Sequence, residues 1–249
     1  MRTEELPTTI PIGADEVGLL GTVLTVWAHP DDETYLAGGL LAALADAGQR
    51  AVCVTATRGE AADPGATPGE RAALGRTRTE ELHRALAGLG VTEHHWLDLP
   101  DGRCAEIDPA VPVACLRAVL DEVRPDTVVA FGPDGVTGHP DHRAVAGWVV
   151  DALAGWSGRP TLLHPVVLAE NVGRDRALDE DFGVYELGRP RVCSMAEVTV
   201  HLDLAGPLLD RKVAALAAQA SQTAGLVAAV GPDRFREWVR FETLAVPLE

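Results

Sequence analysis

Two short β-branched runs, each cut off by a histidine and a proline, constrain the fold of this chain more than any other feature. Thr22 to Ala28 reads as a strand buried on both faces, and Pro30 cannot donate to a ladder, so the strand ends near His29. Thr127-Val128-Val129-Ala130-Phe131 reads the same way, followed by a loop from Gly132 to Gly138 and by Pro140 as the first residue of a helix. Around these, strands are expected near 22–28, 51–56, 94–98 and 127–131, and helices near 38–47, 72–89, 111–123 and 140–154. Such alternation predicts an α/β fold, a Rossmann-like, mostly parallel sheet with helices on both faces and right-handed crossovers. Sheets of this kind place their sites at the C-terminal ends of the strands. Beyond residue 160 the patterns predict strands at 161–168 and 198–202 and a long helix over 206–221. Segments 59–75, 98–112 and 171–191 read as loops able to set substrate choice.

At the two strand ends lie Ala28-His29-Pro30-Asp31-Asp32-Glu33 and Gly138-His139-Pro140-Asp141-His142. Residues three apart in a helical turn share a face, which puts His29 with Asp32 and His139 with His142. A catalytic zinc takes three protein ligands from imidazole and carboxylate and keeps one position open, and His29, Asp32 and His142 would supply such a set. Taken singly, each segment has a plainer explanation: a strand-end histidine is usually hydrogen-bonded structure, and Asp-Asp before a helix is usually a cap. Two such segments, both at the C-terminal ends of buried strands, favour the metal.

The same blocks resemble the two signature motifs of the LmbE-like, PIG-L de-N-acetylase family. Thr57-Arg58-Gly59-Glu60, Arg78-Thr79-Glu80-Glu81-Leu82, Leu99-Pro100-Asp101-Gly102 and Lys212 with Ser221-Gln222 extend the likeness along the chain. The resemblance implies a zinc-dependent hydrolase that removes an acyl group, commonly acetyl, from the amide of an N-acylated amino sugar or its conjugate. It implies zinc on His29, Asp32 and His142, with ferrous iron as the other candidate ion, Asp31 as general base and His139 as stabilising acid. Chemistry agrees with that division: zinc brings the pKa of its water down to about 7, and a free carboxylate beside it can take the proton. Asp141 could orient the His139 imidazole, or serve only as a first-turn acid favourable to the helix dipole. The resemblance also puts Arg78 at the substrate, where guanidinium can hold a hydroxyl or phosphate, and Asp101 against a sugar hydroxyl. Two departures stand out. Thr137 replaces a tyrosine of the family's mycothiol-pathway members, and Gln219 replaces a histidine that many relatives carry before the Ser-Gln pair.

Composition fits one catalytic domain over 1–249, long enough for a substantial core. With 21 basic against 37 acidic residues, the net charge of −16 disfavours nucleic acid and anionic membranes as partners. The expected partner is a small N-acyl amino sugar conjugate; association into a homo-oligomer is left open. Cys53, Cys104, Cys115 and Cys193 form no pair at metal or disulfide spacing, and Cys53 and Cys115 read as small buried residues. Glu4 and Glu5 speak against a secretory leader and no stretch reaches the roughly 18 apolar residues of a span, so a cytoplasmic location is expected. Two rival functions share parts of this pattern. A two-histidine, one-carboxylate ferrous oxygenase would want a β-rich jelly roll. A non-catalytic sugar-binding module would be expected to have lost Asp31 or a ligand, and it has lost neither.

Overall fold

In the computed structural model, residues 11–185 and 187–248 are described, apart from the side chains of 175–178; Glu4 and Glu5 lie outside them. The strands are β1 (Val23–Trp27), β2 (Ala51–Thr57), β3 (Glu93–Leu99), β4 (Thr127–Ala130), β5 (Thr161–Pro165), β6 (Val167–Leu168), β7 (Val192–Cys193), β8 (Val200–Asp203) and β9 (Phe241–Ala245). The helices are α1 (Asp32–Asp46), α2 (Pro68–Leu89), α3 (Ala110–Val123), α4 (Pro140–Ala154), α5 (Val172–Phe182), α6 (Gly206–Ala218), α7 (Ala220–Val230) and α8 (Pro232–Trp238). Seven strands form one sheet in the order β3-β2-β1-β4-β5-β9-β8. The first five run parallel, and β9 and β8 add antiparallel to the edge. Every residue of β1 and β4 is buried, as strands covered by helices on both faces require.

Helix α1 begins at Asp32, six residues earlier than its apolar pattern alone suggests, and Gly38-Gly39 lies within it. The pair serves packing. A Cβ on Gly39 would overlap Leu204, and one on Gly38 would come within 3.2 Å of Lys212. Close approach lets the fully buried Lys212 ammonium reach Glu242 at 2.8 Å and donate to the Tyr35 carbonyl, while Glu242 also accepts from the Gly39 and Leu40 amides. A buried ion pair is tolerable when its remaining donors and acceptors are met in this way. It ties α1, α6 and β9 together behind the site.

Several expectations need correction. The helix over 206–221 is two helices, α6 and α7, bent by 113° at Gln219, whose side chain leaves the helical path to reach Glu33 and Thr34. Segment 171–191 is not a loop throughout, since α5 fills 172–182. Segment 59–75 ends early because Thr67 and Glu70 form a capping box and Pro68 sits in the first turn of α2. β9, over Phe241–Ala245, is a strand that the sequence patterns do not predict. Cys115 is exposed, on the face of α3 opposite Val113, Leu116, Leu120 and Val123. Among the described residues no single helix is long and apolar enough to cross a membrane.

Candidate metal centre and active site

Strands β1 and β4 are parallel neighbours, with Val26 opposite Ala130, so the segments that follow them leave the sheet side by side. From β1 the order runs one way to β2 and β3 and the other way to β4 and β5, which makes this the point where the winding reverses and a crevice opens. Two motifs 113 positions apart therefore meet.

They meet closely. His29 Nδ1 lies 3.5 Å from Asp32 Oδ2 and 3.2 Å from His142 Nε2, and His142 Nε2 lies 3.4 Å from Asp32 Oδ1. Ligand atoms about 2.0–2.1 Å from a tetrahedral zinc stand about 3.3 Å from one another, so the three donors fit a cation without rearrangement. Each donor is also held from behind. The His29 amide donates to Asp32 Oδ2 at 2.8 Å. His142 Nδ1 faces the Gly135 carbonyl at 2.9 Å, and its ring stacks on Phe131 at 4.1 Å between centroids. On the far side of His29, Nε2 faces Asp101 Oδ1 at 3.1 Å and Asp141 Oδ2 at 3.3 Å. Carboxylates and carbonyls behind ligand imidazoles fix tautomer and ring orientation.

Wider groupings, His29 with His139 and His142 and His29 with Asp101 and Asp141, also come within metal-binding reach. In the second, however, the carboxylates are already engaged. Asp141 accepts from the Gly102 and Cys104 amides at 2.7 and 3.0 Å, and Asp101 accepts from the Ala61 amide at 2.7 Å. They read as the support of His29.

The electrostatics are those of a cation site. Burial alone would raise Asp32, but the charges of His142 and His29, with bonds from His29, hold its carboxyl far below the usual range. Burial works against a charged His29, yet the hydrogen bonds it donates to the carboxylates of Asp101, Asp141 and Asp32 push it well above its ordinary value. A proton on His29 thus stands where positive charge is wanted. Burial and the His29 charge hold His139 below its ordinary value, so the metal-free site does not favour the charged imidazole expected of a stabilising acid.

Asp31 does not cap the helix with its side chain. Its backbone is at φ 118°, ψ −31°, a conformation that costs about 1–3 kcal/mol and persists only where the surroundings impose it. Here they do: the Asp31 amide donates to Glu33 Oε2 at 3.0 Å, and Glu33, fully buried, takes its other bonds from Thr34 and Gln219, both at 2.6 Å. Burial first, then the charges of Asp32 and Glu33 against that of Arg78, leave the Asp31 carboxyl pushed up to about 8.

Three expected site residues make their contacts within the protein. Arg78 is buried behind Asp31, 3.6 Å from its carboxylate, and donates to the Gly59 and Pro30 carbonyls. It holds the loop beside Asp31. Asp101 meets His29. Asp141 spends its carboxylate on His29 and two loop amides; towards His139 it offers only its backbone N–H, which donates to Nδ1 at 3.2 Å. Glu33, Gln219, Gly135 and Phe131 went unremarked in the sequence as site residues. Beside the centre opens a cavity of about 340 Å³ whose walls include Asp31, Asp32, Thr137 and His142, with a tyrosine, Tyr185, contributed by a different segment from Thr137. Three other histidines bond within the fold: His94 faces Thr55, His164 the Ala130 carbonyl and His201 Thr243.

Comparison with known proteins agrees with this architecture. A deacetylase of the teicoplanin biosynthetic pathway superposes with a TM-score of 0.64 at 19% identity, over 90% of this chain and 97% of the other. GalB, a 4-carboxy-2-hydroxymuconate hydratase of Pseudomonas putida, shares the fold at a TM-score of 0.59 and 20% identity, over 92% and 97% of the two chains. The fold alone therefore does not fix the reaction. In sequence, a Kineococcus radiotolerans protein named 1D-myo-inositol 2-acetamido-2-deoxy-alpha-D-glucopyranoside deacetylase is 34% identical, over 87% of this chain and 73% of its own length. Residues 24–153, just over half of the chain, match the family described as GlcNAc-PI de-N-acetylase. This chain belongs to the PIG-L family of de-N-acetylases.

Proposed function

We propose that the chain hydrolyses the N-acyl amide of an N-acetylglucosamine-type conjugate. The observation that carries this is the arrangement at the end of β1: three donors 3.2–3.5 Å apart with an unligated, strained carboxylate, Asp31, beside them. His29, Asp32 and His142 would hold the cation, zinc by donor chemistry and ferrous iron as the alternative. When bound, such an ion activates water and polarises a carbonyl. Asp31, held outside the ligand set by its backbone, accepts the proton of the attacking water. A carboxyl whose proton affinity is raised by burial is a stronger base than an ordinary one. His139, its ring 4.9 and 5.1 Å from those of His29 and His142, hydrogen-bonds the developing oxyanion, and as the C–N bond breaks the proton that Asp31 took from water reaches the leaving amine by way of this imidazole. The parallel sheet leaves the oxygenase reading without the fold it requires, and an intact Asp31 removes the ground for a merely binding module.

The test is incubation of metal-loaded protein with N-acyl glucosamine derivatives, scoring amine and carboxylic acid. Equal release of both, abolished by a chelator and restored by zinc or ferrous iron, is the expected result. No amine from any member, with metal bound, would refute the reaction.

The support behind His29 gives a second prediction. Asp141→Asn keeps the shape but removes the charge facing Nε2, so metal affinity is expected to fall by about 10–100-fold. Competition against a chromogenic chelator measures it, and an unchanged affinity would leave Asp141 only its bonds to Gly102 and Cys104.

A further inference from the structure

The cavity beside the centre has an end and a body of different character. At the end lie Asp31, Asp32 and His142. The body is walled by Leu36, Val136, Val167, Leu168, Leu226 and Trp238. Three of its polar wall groups are engaged already: Glu242 is bonded to Lys212 and two amides, Thr243 faces His201, and the Arg174 guanidinium lies 4.3 Å over the Phe241 ring and pairs with Glu237. Tyr35, Thr137, Asn171 and Tyr185 supply the rest of the polar wall. Against the apolar residues a polyol would leave hydroxyls without partners, whereas an aliphatic chain asks for none.

One wall residue underlines the point. Val136 sits at φ 61°, ψ −59°, a backbone that a β-branched residue rarely adopts and that glycine or asparagine would take more readily. The strain places an apolar side chain on the cavity wall.

The position of His139 says which part of the substrate enters. His139 does not line the cavity, while Asp31 and His142 do. The leaving amine belongs on the side of the group that protonates it, so the substituent on the carbonyl carbon points the other way, into the apolar body. Resting on the amide-hydrolysis reading above, we infer that this cavity is an acyl-chain site and that the substrate class is an amino sugar carrying an N-acyl chain longer than acetyl, with a linear aliphatic tail.

The experiment is a series of N-acyl glucosamines, acetyl, butanoyl, hexanoyl and octanoyl, run beside the octyl glycoside of N-acetylglucosamine. From acetyl to hexanoyl, kcat/KM is expected to rise by about twofold to fourfold per added methylene. Val167→Phe and Leu226→Phe each narrow the body from a different element and are both expected to lower the hexanoyl-to-acetyl ratio of kcat/KM. Amine release that is flat or falls with chain length would overturn the acyl-chain site while leaving the hydrolase reading intact. A gain confined to the octyl glycoside would overturn it too, by assigning the cavity to the aglycone. If no substrate releases amine, the reaction itself fails and the acyl site with it.

Discussion

Asp31→Asn is expected to lower kcat by about 10²–10⁴-fold, the range for loss of a general base, with metal content unchanged. The asparagine keeps size and shape, and asparagine is among the residues that accept positive φ, so the backbone at φ 118° has no new reason to relax. What disappears is the ability to accept a proton, together with the negative charge beside Arg78 and Asp32. The three donors are untouched, because Asp31 is not among the atoms 3.2–3.5 Å apart that meet at the centre. Steady-state kinetics with elemental analysis of the same sample separates the two effects. Full turnover in that variant would remove Asp31 from the chemistry.

Glu33 explains why a base can be kept so close to the ligands yet apart from them. Its carboxylate accepts the Asp31 amide and is itself fixed by Thr34 and by Gln219 from the far end of the chain. The bend between α6 and α7 delivers that Gln219 side chain. Where a histidine is expected before Ser-Gln, this chain uses an amide that reaches the first turn of α1, so the substitution feeds the geometry of Asp31 and leaves the ligand set alone.

The parts legible in the sequence were those governed by local rules. β1 and β4 could be read because β-branched runs ending at proline admit few alternatives, and the closeness of His29 and Asp32 because a helical turn puts positions three apart on one face. The meeting of the two motifs also followed, once an α/β order was read, from the place where such sheets put their sites. The partners of Arg78, Asp101 and Asp141 within the protein were not legible because side chains of this kind turn towards whatever buried polar group needs them. Here those are the Gly59 and Pro30 carbonyls and the outer nitrogen of His29, partners 19 to 112 positions away. The bend at Gln219 was hidden for the same reason: its cause, Glu33, is 186 positions off. β9 escaped notice because Phe241 follows Trp238 at a helical interval and only pairing with β5 and β8 makes it a strand.

His142→Ala is expected to strip the centre of its metal, with a loss of affinity larger than the ~10–100-fold expected for a supporting carboxylate. His142 supplies the donor contributed from beyond β4. His139 offers the nearest imidazole, but its Nδ1 accepts the Asp141 amide and its ring centre lies 5.1 Å from that of His142. The substitution also unstacks Phe131 and frees the Gly135 carbonyl, so the fold must be checked separately by thermal unfolding in chelator, where wild type and variant are both metal-free. Elemental analysis after dialysis then reads the ligand role. An undiminished metal content would show that the cation sits elsewhere. His139→Ala supplies the contrast: metal is retained and turnover falls, because that imidazole faces the reacting group without holding the ion. Asp31→Asn, His139→Ala and His142→Ala thereby assign base, acid and ligand by three different combinations of metal content and rate.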